Sequence, residues 1–181
     1  EIKKQPSNRQ WQGVSFFALD SKPYDALIAT HNTILCVDLI EANGRISPLP
    51  PSNYMWRMGS HQHPIFSPLL ESGKKANALS KKLATGLKLN TNVKVINLVV
   101  IIGNADLSDV NCLDFGNRVL LFKDFLNLIN NSLEFNSLTR PRPNTKLLPN
   151  EVQSLFKFIE QNSVVNTQIM EEYNAIEPIV Q

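Results

Sequence analysis

Apolar positions fall first into short runs of β-formers and later into helical stripes. Trp11–Leu19 (WQGVSFFAL) reads as a strand, and Asp20-Ser21-Lys22-Pro23 turns the chain. Tyr24–Thr30 and Ile34–Ile40 are two further β-rich runs around His31-Asn32-Thr33, a turn suited by asparagine's tolerance of positive φ. Asn43-Gly44 is the strongest turn signal, Arg45-Ile46 begins a strand that Pro48, Pro50 and Pro51 end, and Tyr54–Met58 follows as another. Ser67-Pro68 then starts a helix predicted over 68–85, with Gly86 as its stop. On it Leu69, Ala76, Leu79 and Leu83 form the apolar stripe, and Lys74, Lys75, Lys81 and Lys82 lie on or beside the opposite face. Val93–Gly103 and Arg118–Phe122 read as interior strands, and Lys123–Leu133 and Asn150–Gln161 as helices. A meander followed by strand, helix, strand, strand, helix predicts an α/β fold, a mixed β-sheet flanked by helices.

Two carboxylates interrupt the apolar hairpin. If its loop is His31-Asn32, Asp25 lies opposite Asp38, with Cβ atoms roughly 4.5–5.5 Å apart. A loop of Asn32-Thr33 makes them diagonal neighbours on one face, and a three-residue loop needs a bulge to do so. Leu27, Ala29, Ile34, Cys36 and Ile40 flank them on their own face, and Ala26, Ile28, Leu35, Val37 and Leu39 lie behind, which predicts strands covered on both sides. Adjacent carboxylates there persist if a cation bridges them, if one keeps its proton, or if that end of the hairpin opens to solvent. Hard divalent cations prefer such oxygens.

The composition, 43% hydrophobic and 19% charged over 181 residues, is that of a globular domain and excludes disorder throughout. The longest apolar run, Val95 to Ile102 interrupted by Asn97, is far shorter than the roughly 20 residues of a membrane helix. Neither a membrane segment nor a signal peptide is expected, and with Cys36 and Cys112 read as buried free thiols the expected compartment is reducing and cytoplasmic. The chain opens at Glu1 without methionine, so an upstream segment is expected to be missing. Net charge is +2, but residues 1–150 carry 17 Lys/Arg against 11 Asp/Glu and residues 151–181 carry 1 against 5, a basic body with an acidic tail. The basic excess is compatible with a polyanionic partner without requiring one.

The order Tyr24-Asp25, Val37-Asp38-Leu39-Ile40, Asn43-Gly44-Arg45-Ile46, Trp56, Ser67-Pro68-Leu69-Leu70-Glu71 and Lys94–Ile102, closed by Arg118–Phe122 and Lys123–Leu133, resembles the nuclease-related domain (NERD) family. That family is a mostly bacterial branch of the restriction-endonuclease-like fold, and the resemblance spans about residues 14–133. It implies a nuclease-related domain over 1–138; the residues that follow read as a Pro-rich basic connector at 139–149 and a C-terminal helical extension over 150–181. It also implies a phosphodiesterase in which Asp25 and Asp38, with the backbone carbonyl of Leu39, hold Mg²⁺ or Mn²⁺. The chain departs from the pattern where the family's lysine should stand, since that position is Ile40. Ser67 and Glu71 replace the preferred asparagine and glutamine, and the family's opening helix has no match.

The expected function is therefore nucleic-acid binding on a nuclease fold, with metal-dependent hydrolysis weakened or lost. Two alternatives stand beside it: an active DNA endonuclease with a relocated basic residue, and a non-catalytic assembly module docking a protein partner through the C-terminal extension. Candidate catalytic residues are Asp25, Asp38 and Glu41, the last only if its strand bulges, with Arg45, His61 or His63 as basic groups reaching in from loops. Lys74, Lys75, Lys81, Lys82 and Arg45 are the candidate DNA-binding residues, against the plainer reading of a solvated face. Trp56 is expected in the core.

Overall fold

A computed structural model describes residues 11–30, 33–59, 63–87, 95–113, 118–131 and 147–165. Residues 139–146 of the connector, His61 and the residues after 165 lie outside them. The predicted meander is present as β1 (Trp11–Leu19), β2 (Lys22–Thr30) and β3 (Ile34–Glu41), each antiparallel to the next. The chain then forms β4 (Gly44–Leu49), β5 (Met55–Met58) and the short β6 (Ile65–Phe66), and enters helix α1 (Pro68–Leu87). This crossover returns it to β7 (Val95–Ile102), which pairs parallel to β3. After β8 (Ala105–Asp106) and the single turn α2 (Ser108–Asn111), β9 (Val119–Leu121) adds parallel to β7. Helices α3 (Phe122–Asn130) and α4 (Pro149–Asn162) follow, and β10 (Val164–Val165) pairs with β1.

The fold is mixed α/β, with one sheet in the order β10-β1-β2-β3-β7-β9 and a second in the order β6-β5-β4-β8. Because side chains alternate along a strand, the central strands feed two cores. Leu27, Ala29, Ile34 and Cys36 pack with Leu79 and Leu83 of α1 and Leu155 and Ile159 of α4. Ile28, Leu35, Val37 and Leu98 pack with Phe125 and Leu128 of α3 on the other side. A third cluster, around Ile46, Trp56 and Ile101, ties the second sheet to the first.

Several boundaries differ from those predicted. Gly86 is inside α1: a Cβ there would sit 2.5 Å from the Phe158 ring, so glycine allows α1 and α4 to approach closely. Strand β4 runs on through Pro48, tolerated because β8 pairs only with Gly44 and Arg45 and leaves the rest of that edge open. Cys112 is exposed, because the turn of α2 carries it outward with its thiol toward Ser108 O; Cys36 is buried, and both thiols are free. Trp56 is fully buried, as predicted. Among the described residues no helix is long and apolar enough to cross a membrane.

Candidate functional site

His31 and Asn32 lie outside the described residues, but the register of the pairs Ala26↔Val37 through Ala29↔Ile34 sets Asp25 opposite Asp38. The ladder stops one pair short of them. There the amide of Leu39 donates to Asp25 Oδ2 at 2.7 Å, a side-chain oxygen taking the place of a strand carbonyl.

The other edge of β2 is disturbed at the same level. β1 pairs Ser15 with Ala26 and Phe17 with Tyr24 but omits the pair Phe16–Asp25, and Phe16 has φ +52°. A bulky residue in the left-handed region is a real outlier, of the kind held in place by surrounding structure. Asp25 thus sits in the one rung of β2 where both neighbouring strands give up regular pairing.

Asp38 lies in regular structure, opposite Val99 in the parallel β3–β7 ladder, and is 6% exposed. Its Oδ1 accepts from Lys75 Nζ at 2.5 Å, and its Oδ2 is buried without a hydrogen-bond partner. The Lys75 side chain is 32% exposed, so the cation reaches the carboxylate from the solvent side of the helix–sheet seam. Burial raises the Asp25 carboxyl above its ordinary range; the Leu39 amide and Lys75 oppose that, and the Asp38 charge adds to it. The flanking Tyr24 hydroxyl and Cys36 thiol are each pushed up to about 12, burial being the main cause and Asp38 a further one, so both stay neutral.

Ile40 shares the face of Asp38, and its side chain packs against the cluster of Ile46 and Trp56. The cation comes instead from α1. The spacing Ser72, Lys75, Ala76, Leu79, Leu83 is a sheet-facing stripe, and that periodicity marks Lys75 as turned inward although its charge suggests solvent.

The remaining candidates are elsewhere. The β3–β7 ladder continues without a bulge to Glu41↔Ile102, so Glu41 points away from Asp38 and is exposed, and the catalytic expectation for it is corrected. Lys74 pairs with Glu71 at 2.6 Å and Lys82 with Asp20 at 2.8 Å, whereas Lys81 is exposed. Arg45 is held by Asp109 at 2.6 Å on the second sheet, and His63 is exposed. The carboxyl of Asp109 is drawn down to about 2 by its hydrogen bonds from Arg45 and Ser47. A cavity of about 380 Å³ opens between β8 and β9, lined by Asp106, Ser108, Asn111 and Asp124, away from Asp25 and Asp38.

Among the described residues no cluster of three or more His, Cys, Asp or Glu side chains surrounds one point. The set at the hairpin is smaller: two carboxylates, one with a buried unpaired oxygen. Both are hard oxygen donors, and a small divalent cation completing its shell with water fits them. Comparison of the chain with protein-family models, with curated proteins and with solved structures gives no match.

Proposed function

We propose that this chain is a metal-dependent nucleic-acid phosphodiesterase with a restriction-endonuclease-like fold, whose active-site lysine is supplied by helix α1. The observation that carries this reading is Lys75 Nζ at 2.5 Å from Asp38 Oδ1, on the face where Ile40 offers no charge. The mixed sheet, with an acidic antiparallel hairpin joined through α1 to a parallel strand, supports it.

In this reading Asp25, Asp38 and the Leu39 carbonyl hold Mg²⁺ or Mn²⁺, which when bound polarises a phosphoryl oxygen and lowers the pKa of its water. Asp25 is kept in line by the Leu39 amide, and Asp38 is fixed by the ladder to β7. Lys75 has two tasks. It balances Asp38 in the resting protein, and with substrate present it stabilises the negative charge that develops on phosphorus oxygens. Tyr24 and Cys36 add bulk without charge. DNA is the proposed substrate. Lys81 is the member of the basic set that remains exposed without an ion pair among the described residues, so the helix face adds little electrostatic affinity.

The test is cleavage of single- and double-stranded DNA in Mn²⁺ and in Mg²⁺ by the wild type, Asp38→Ala and Lys75→Met. Metal-dependent cleavage lost in both variants supports the proposal. Salt-sensitive DNA binding with no cleavage by the wild type leaves a nucleic-acid-binding module instead. Neither cleavage nor binding leaves an assembly module.

A further inference from the structure

Two side-chain oxygens among the described residues are fully buried with no hydrogen-bond partner: Asp38 Oδ2 and Ser72 Oγ. Such atoms are rare in native proteins, because each carries an uncompensated desolvation cost. A serine inside a helix ordinarily bonds back to a carbonyl one turn earlier. Ser72, 1% exposed in the second turn of α1, makes no such bond.

Both atoms lie in the same seam. Three residues before Ser72, Leu69 joins the cluster of Ile40 and Ile101; four residues after it, Ala76 joins the cluster of Cys36 and Leu27. Asp38 lies between Cys36 and Ile40 on that face of β3, so Ser72 stands over its level of the sheet. Lys75, one turn further along α1, reaches the other oxygen of the same carboxylate. Elsewhere in the seam a buried polar side chain has partners at both ends: Asn97 donates to Leu69 O and accepts from Arg118. The two orphans are therefore local to Asp38.

We infer that Ser72 is a positioning residue of the metal site: its hydroxyl, with Asp38 Oδ2, orients a water ligand of the bound divalent cation, so that both oxygens gain partners only in the loaded protein. The inference rests on the metal-site reading above. A bridging water needs two or more polar partners, and these two oxygens with a cation supply them. Groups that orient a metal's own ligands typically contribute a factor of roughly 10–100 to its affinity.

The test is titration with Mn²⁺ alone, by calorimetry and by the electron paramagnetic resonance signal of free Mn²⁺, on the wild type, Ser72→Ala, Ser72→Thr and Asp38→Asn. Ser72→Ala is expected to bind Mn²⁺ about tenfold or more weakly, Ser72→Thr to recover most of that loss, and Asp38→Asn to bind none. In EDTA, Ser72→Ala should melt no lower than the wild type, because it deletes a hydroxyl that has no partner in the metal-free protein. Unchanged affinity in Ser72→Ala, with binding abolished in Asp38→Asn, overturns the role of Ser72 and leaves the metal site standing. A lower melting temperature in EDTA also overturns it, since the hydroxyl would then be bonded within the protein. No Mn²⁺ binding by the wild type overturns both readings together.

Discussion

Asp25 Oδ2 receives the Leu39 amide at 2.7 Å, at the point where the ladder between β2 and β3 ends. One carboxylate thus serves both as a backbone acceptor and as half of the acidic pair, and the two roles separate by substitution. Asp25→Asn keeps an oxygen for the amide and removes the charge, whereas Asp25→Ala orphans a half-buried donor at a cost of about 1–3 kcal/mol. Burial raises the Asp25 carboxyl from 3.8 in the folded chain, so the native state holds that proton more tightly than the unfolded chain. The stability it contributes is fully present below 3.8 and is lost as pH rises through the raised value. Urea midpoints measured from pH 3.5 to 7 should show this component as the part of the wild-type profile that falls with rising pH and is missing in Asp25→Asn. An identical pH profile in the two proteins counts against a raised Asp25.

How much of this was legible in the sequence follows from which residues carried a period. The Asp25–Asp38 register is legible by side-chain parity, which leaves few alternatives when apolar residues line both faces of the hairpin. β6, β8 and β10 are two residues each, too short to carry any alternation. The positive φ of Phe16 falls at the residue of β1 opposite Asp25, and nothing in WQGVSFFAL announces it. Lys75 was legible by position and obscured by charge. Its spacing from Ser72 and Leu79 is that of the buried stripe, but a lysine between Lys74 and Ala76 reads as surface until a carboxylate is known to lie beneath it.

The Lys75–Asp38 pair is partly buried, so removing one partner should cost more than removing both. Lys75→Met leaves Asp38 uncompensated, and with a third of the lysine side chain in solvent the expected loss is about 1–3 kcal/mol, below the range for fully buried pairs. Adding Asp38→Asn to Lys75→Met should recover much of it. A double-mutant cycle in urea measures the coupling, and additive losses would mean that the pair contributes no interaction of its own.

Alkaline denaturation should begin with Cys36 and continue with Tyr24. Both are acids whose folded values are raised to about 12, from 9.0 for the thiol and 10.0 for the phenol. Their contribution is intact below those unfolded values and disappears as pH climbs to the folded ones. Each group steepens the loss by up to about 1.4 kcal/mol per pH unit. Cys36→Ala lowers stability at neutral pH through lost packing, but its alkaline decline should start about one unit later, with Tyr24 alone. Thermal melts from pH 8 to 11 locate the onset, and the same onset in both proteins would remove Cys36 from the account.

If Lys75 supplies the charge that Ile40 does not, then moving the lysine should move the function. Ile40 and Asp38 share a face of β3, so a lysine at 40 starts two residues from the carboxylate, and its long stem can cover the Ile46–Trp56 cluster while its ammonium turns toward Asp38. Lys75→Met alone should lower the cleavage rate by 100-fold or more, on the order observed when one charge-stabilising donor is removed. Ile40→Lys in that background should restore part of it, at a stability cost of about 1–3 kcal/mol from the altered packing. The comparison is single-turnover cleavage in Mn²⁺ by the wild type, Lys75→Met and the double variant, with melts to show that all three are folded. Rescue would mean that the site needs a cation beside Asp38 from either element. Full activity in Lys75→Met would show that the ion pair serves only the fold.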